Sequence, residues 1–181
     1  MSQKYIAFLR GINVSGKNMI KMLSLTKLLQ QAGFENIQTY LQSGNVLFNS
    51  DMPDRREVSI LIEKRIKTEL DLDVPVLVFG EKELIAAKDN NPYADGTKDE
   101  SALYVTFLES RADETLIEKI EKEKYLPDEF SVEADLVYLY CPAGYGKTKL
   151  NNNFFENKLK LTATTRNWNT VCKLVELAAT I

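Results

Sequence analysis

Five consecutive apolar residues, Tyr5 to Leu9, lead into Arg10 and then into a polar stretch bounded by glycines, Gly11 to Asn18, reading GINVSGKN. A run this short and this continuously apolar has no side to offer water. It reads as a strand buried on both faces, in the interior of a sheet. The loop then delivers the chain to a helix. Met22, Leu25, Leu28, Leu29 and Ala32 recur at helical spacing, and Gly33 stands where a helix stops.

The next segments keep the same rhythm. Ile37 to Leu41 reads as a second strand, Gln42-Ser43-Gly44-Asn45 as a turn, and Val46 to Phe48 as a third strand, together a hairpin. Asp51, Pro53 and Asp54 mark a helix start. Val58, Leu61, Ile62, Ile66 and Leu70 form its apolar stripe. Val74 to Phe79 is a fourth strand. The order βαββαβ is the ferredoxin-like unit.

Glu81 to Lys88 reads as a short helix, and the polar stretch DNNPYADGTKDE, Asp89 to Glu100, as a boundary. A strand over Ala102 to Leu108 follows, then a helix marked by Leu116, Ile117 and Ile120. Strands over Phe130 to Ala134 and Leu136 to Cys141 come next. A glycine loop, PAGYGK, leads to a helix carrying Phe154, Phe155 and Leu159. Leu161 to Thr165 reads as a weak last strand, before a helix with Trp168, Val171, Cys172 and Val175 as its stripe. The expected architecture is therefore α+β: two ferredoxin-like halves, the second degenerate, packed as one protein. Residues 1–80 form the first half, 81–101 a helix and polar linker, and 102–181 the second half with its C-terminal helix. Tyr104 and Tyr138 are expected to be partners across the second sheet.

Composition narrows the chemistry. The chain has 181 residues and no histidine, which removes the commonest general base near neutral pH and the commonest metal ligand. Serine–histidine and cysteine–histidine machinery is excluded within one chain. Cys141 and Cys172 have neither metal-ligand nor redox-pair spacing, so no metal and no cofactor is expected. Reduced thiols and an N-terminus without a signal-like apolar run point to the cytoplasm. No stretch is long enough to span a bilayer, so no membrane partner is expected. The net charge of -3 argues against a non-specific polyanion binder.

Two loops approach a phosphate-binding motif and miss it. GINVSGKN has the glycine and lysine spacing but places Asn18 where a magnesium-binding Ser or Thr belongs. CPAGYGKT, Cys141 to Thr148, keeps the lysine and threonine but has cysteine in place of the first glycine. A magnesium-dependent nucleoside triphosphatase is not expected. Topology instead suggests two gatherings of donors. In an antiparallel sheet of order 4-1-3-2, the first and second strands end at the same edge. Arg10, Asn13 and Lys17 should lie near Ser43 and Asn45. By the same logic Lys147, Lys149, Arg166 and Asn167 gather at one edge of the second sheet. Thr165 or Asn167 can cap the last helix, and Trp168 reads as core rather than as a ring for stacking.

The segments FLRGINVSGKN (Phe8 to Asn18), TYLQSGNVLF (Thr39 to Phe48) and TATTRNWNTVCKL (Thr162 to Leu174), with NPYADG (Asn91 to Gly96), carry a resemblance. The chain resembles the uncharacterised bacterial family called domain of unknown function 1697, departing from it at Ser15, where a second glycine is usual. The resemblance implies a duplicated α/β fold and assigns no activity. Its signature residues, Arg10, Asn13, Gly44, Asn45, Arg166, Asn167 and Trp168, include most of the polar loop positions named above. The functional expectation is a cytoplasmic binding protein for an anionic ligand, nucleotide-like or phosphorylated, using Arg10, Asn13, Lys17, Ser43, Asn45, Lys147, Arg166 and Asn167. The alternatives are a histidine-free transferase and a single-stranded nucleic-acid binder. The latter needs a basic groove with exposed aromatic residues.

Overall fold

A computed structural model describes residues 2–181. The chain divides into two compact units, one running up to Ile85 and joined by Leu174–Ile181, the other Ala86–Lys173.

The first unit carries β1 (Gln3–Leu9), α1 (Met22–Gln31), β2 (Glu35–Tyr40), β3 (Asn45–Ser50), α2 (Arg55–Leu70), β4 (Val76–Gly80) and most of α3 (Glu81–Asp89). Its four strands run antiparallel in the order β2-β3-β1-β4, the ferredoxin-like arrangement. β1 is central, and Tyr5 to Leu9 are all buried, as a strand with no polar side requires. Tyr5, Ala7 and Leu9 join Val46, Phe48, Val76 and Val78 in a core with Leu25, Leu28 and Leu29 of α1 and Val58, Ile62 and Ile66 of α2. Ile6, Phe8, Leu47, Leu77 and Phe79 alternate onto the other face and are buried too. Asp54 starts α2 by accepting from the Arg56 amide at 2.7 Å, the role its place after the proline suggests.

The second unit repeats the order with two shorter crossover helices: β5 (Leu103–Leu108), α4 (Glu114–Ile117), β6 (Glu129–Glu133), β7 (Leu136–Tyr140), α5 (Asn152–Leu159) and β8 (Ala163–Asn167); α6 (Trp168–Ala178) opens directly from β8, and its residues from Leu174 on belong to the first unit. The strand order β6-β7-β5-β8 matches the first sheet position for position. The degeneracy lies in the helices. Where α1 has 10 residues, α4 has 4 and gives way to a 3-10 turn at Lys122–Tyr125. The weak last strand is a full member of the sheet, paired with β5 from Ala163 to Asn167.

Two details differ from the sequence reading. Tyr104 lies opposite Leu139 and Tyr138 opposite Val105, so the two rings point to opposite faces and are not partners. Tyr104 instead packs against Tyr145 of the glycine loop, with ring centroids 5.2 Å apart and planes tilted by 38°. In α6 the buried stripe is Trp168, Val171, Leu174 and Ala178, while Cys172 is only half-buried. Asn167 sets this phase by accepting from the Thr170 amide at 2.8 Å.

Candidate functional site

The loop between β1 and α1 is built from residues that tolerate left-handed backbone. Gly11, Asn13, Ser15, Gly16 and Asn18 all have positive φ, between 45° and 74°. Consecutive left-handed residues at Ser15 and Gly16 suit a tight primed turn. Val14 and Lys17 bridge across it, with the Lys17 amide donating to the Val14 carbonyl at 3.0 Å. The Asn13 amide donates to Asn18 at 3.2 Å, and the Asn18 side chain to Gly11 at 3.2 Å. A phosphate loop aims its amides at the ligand and runs straight into a helix. Here the amides of Asn13 and Lys17 are spent inside a miniature hairpin, and α1 starts only at Met22.

Asn13 ties this hairpin down. Its Nδ2 donates to the carbonyls of Gln42, at 2.7 Å, and Ile20, at 3.0 Å, and its Oδ1 accepts from the Ile20 amide at 2.8 Å. The Leu9 amide donates to the Gly44 carbonyl at 2.8 Å. The β1 loop and the β2–β3 turn thus share one sheet end, as the strand order requires. Gly44 is conformationally obligatory. Its φ is +80°, and a Cβ there would sit 2.7 Å from Leu9 Cβ and 2.8 Å from Ile12 Cδ1. Asn45 is fully buried, donating to the Tyr40 carbonyl at 2.8 Å and to Ser43 Oγ at 3.1 Å.

Of the five candidates at this end, Asn13 and Asn45 are therefore structural fasteners. Arg10 is half-buried at the root of the loop, where its amide donates to the Pro75 carbonyl at 2.9 Å. Lys17 and Ser43 are exposed. Residues 2–34 contain Lys4, Arg10, Lys17, Lys21 and Lys27 and not one acidic side chain. Lys4 pairs with Glu81 at 3.4 Å.

At the second sheet the glycine loop also meets the end of β8, but through Tyr145. Its hydroxyl bonds Thr165 Oγ1 at 3.0 Å, the Asn152 amide donates to it at 3.2 Å, and Thr165 Oγ1 lies 2.7 Å from Thr106 Oγ1. Arg166 projects to the opposite face, as alternation along a strand dictates. It is 7% exposed and donates to Thr164 Oγ1 at 2.8 Å and the Thr165 carbonyl at 2.9 Å. Burial pulls its pKa down to about 10, which still leaves it charged at neutral pH. Asn167 is the α6 cap, and Lys147 stands exposed on the loop. Cys141, buried below, has its thiol pushed up to about 11 by desolvation and is no nucleophile at neutral pH.

Sequence reading missed a clamp around the polar stretch. Lys98 lies 4.1 Å from the Tyr140 ring centroid and 5.4 Å from that of Tyr93, and pairs with Glu129 at 2.6 Å. Nothing in the local pattern marks it, because its partners come from β6, β7 and the stretch itself. Among the described residues no three Cys, Asp or Glu side chains gather as a metal ion would need.

The comparisons agree with this architecture. A solved structure described as conserved bacterial protein SP0830 from Streptococcus pneumoniae aligns over 98% of this chain and 99% of its own. Its TM-score is 0.73 at 20% sequence identity, a likeness of fold alone. No curated protein matches. The sequence profile described as "Protein of unknown function (DUF1697)" matches residues 2–138, more than half of the chain, and the chain therefore belongs to that family.

Proposed function

We propose that the chain is a cytoplasmic binding protein for an anionic small molecule, nucleotide-like or phosphorylated, taken up at the end of the first sheet by Arg10, Lys17 and Ser43. The observation that carries this reading is local charge. On a chain of net charge -3, the segment from Arg10 to Phe34 holds four basic side chains and no acidic one. Local positive potential on an acidic protein attracts a specific anion without general affinity for polyanions. Asn13 supports the site by holding the loop that carries Arg10 and Lys17 against the turn that carries Ser43. Lys147, Arg166 and Asn167 contribute less to this reading, since Arg166 is buried and Asn167 is occupied as a cap.

The test is a thermal-shift screen of nucleotides, sugar phosphates, carboxylates and short oligonucleotides. A ligand at a hundred times its Kd stabilises by about 2.7 kcal/mol, a shift of several degrees. The expected result is a shift that Arg10→Ala and Lys17→Ala lose. Arg166→Ala should lower the baseline melting temperature yet keep the shift. If no anion stabilises the wild type, the proposal is wrong.

A further inference from the structure

The loop end of the first unit also concentrates exposed apolar surface. Val14 is 58% exposed, Met19 66%, Leu23 68% and Leu41 52%. These are four of the seven large hydrophobic residues that stand exposed among the described residues. Asn13 ties together the segments that carry three of them. Val14 follows Asn13 itself, Met19 precedes Ile20, which Asn13 binds twice, and Leu41 precedes Gln42, which Asn13 binds once. Leu23 lies on the first turn of α1, on the exposed side that also carries Lys27 one turn later. Leu41 holds a left-handed φ of 60°, a conformation that costs a leucine about 1–2 kcal/mol and here keeps its side chain in solvent.

Lysines are interleaved with these side chains. Lys17, Lys21 and Lys27 are exposed and enter no ion pair among the described residues. The 26 acidic residues of the chain all lie beyond Phe34. We propose that this surface docks on an anionic lipid bilayer, with Val14, Met19, Leu23 and Leu41 entering the headgroup boundary and Lys17, Lys21 and Lys27 facing the lipid phosphates.

Residue types select the occupant. A single-strand nucleic-acid platform uses exposed aromatic rings, and this surface offers aliphatic side chains instead. Protein interfaces are enriched in aromatic residues, methionine and arginine and depleted in lysine; this surface shares only Met19 with that list and carries three lysines. Aliphatic residues among lysines are the composition of peripheral membrane surfaces, where apolar insertion and attraction to anionic lipid act together. The expectation that no membrane partner exists rests on the lack of a spanning segment, and docking on a surface needs none.

The inference shares Lys17 with the small-anion reading but rests on the apolar residues, so the two are separable. Purified protein is sedimented with vesicles of phosphatidylglycerol and, in parallel, of phosphatidylcholine, at low and at raised salt. Binding to the first and not the second, weakened by salt, is the expected result. Met19→Ser combined with Leu23→Ser, and separately Lys17→Glu combined with Lys21→Glu, should each weaken binding by about tenfold or more. Leu126→Ser, at a residue 65% exposed in the second unit, should leave it unchanged. Melting temperatures of all variants establish that they are folded. No sedimentation with phosphatidylglycerol, equal binding to both lipids, or wild-type binding by the Met19/Leu23 variant overturns the proposal. So does full displacement by inorganic phosphate, which would leave only the small-anion site. Concentration-dependent self-association lost in the Met19/Leu23 variant, or oligonucleotide binding lost in the Lys17/Lys21 variant, would reassign the surface and also overturn it. Vesicle binding by a protein that no soluble anion stabilises would retain this inference and remove the small-anion reading.

Discussion

Gly44→Ala is expected to be the most damaging single-methyl change in the first unit. Two separate effects add. The φ of +80° is left-handed, which costs an L-residue about 1–2 kcal/mol. The new Cβ would also lie 2.7 Å from Leu9 Cβ and 2.8 Å from Ile12 Cδ1. The first of these contacts cannot relax by side-chain rotation, because a Cβ moves only with its backbone. That backbone is held, since the Leu9 amide donates to the Gly44 carbonyl itself at 2.8 Å and Leu9 is a central-strand residue paired with Val76. Overpacking of this kind costs about 1–3 kcal/mol. The sum is about 3 kcal/mol, or a fall in melting temperature of about 10 °C for a protein of this size. Gly11→Ala is the internal control. Its φ of +68° is also left-handed, but a Cβ there meets nothing within 4 Å. It should lose only the backbone term, about 1 kcal/mol and roughly 3 °C. Thermal unfolding of wild type and both variants, followed by circular dichroism and calorimetry, gives the comparison. Equal losses in the two variants would refute the steric argument, and no loss in either would refute the backbone argument as well.

Three further outcomes are expected. Asn13→Ala removes three hydrogen bonds and should cost about 2–3 kcal/mol, with faster hydrogen exchange at the Ile20 amide; unchanged exchange there would contradict its role as the fastener. Lys98→Ala removes a cation held near two rings and a carboxylate and should cost about 1–2 kcal/mol by chemical denaturation, whereas an ordinary surface lysine would cost nothing measurable. On the alkaline side, burial raises Cys141 from 9.0 to about 11, and Tyr93 and Tyr138 from 10.0 to about 12. These groups keep protons that the unfolded chain releases, so their contribution is whole below pH 9 and is lost as pH rises towards 12. Arg166, lowered from 12.5 to about 10, acts in the opposite sense, but it is one group against these three and Tyr5, which burial also raises. Melting temperature should therefore fall steadily above pH 9, and a rise would contradict the burial of these side chains.

Alternation and period within short segments were enough to determine the order of the elements in both halves. Tyr5 to Leu9 could only be interior strand, and the recurrence of βαββαβ implied a sheet order that both units adopt. That order also placed the Gly11–Asn18 loop beside the Gln42–Asn45 turn, because parallel alignment of the first two strands follows from topology alone. Which side chains are free to meet a ligand was a different kind of question. Asn13, Asn45 and Asn167 have the composition of ligand contacts and the bonds of fasteners, and only three-dimensional neighbours separate the two. Arg166 was assigned to a loop edge, yet β8 runs two residues further than Thr165, and alternation turned Arg166 to a buried face. The Tyr104–Tyr138 pairing failed for the same reason, since register, which sequence does not reveal, decides the face. The exposed set Val14, Met19, Leu23 and Leu41 was likewise invisible in the sequence. Each looks like an ordinary apolar residue, and burial is a property of what the rest of the chain leaves uncovered.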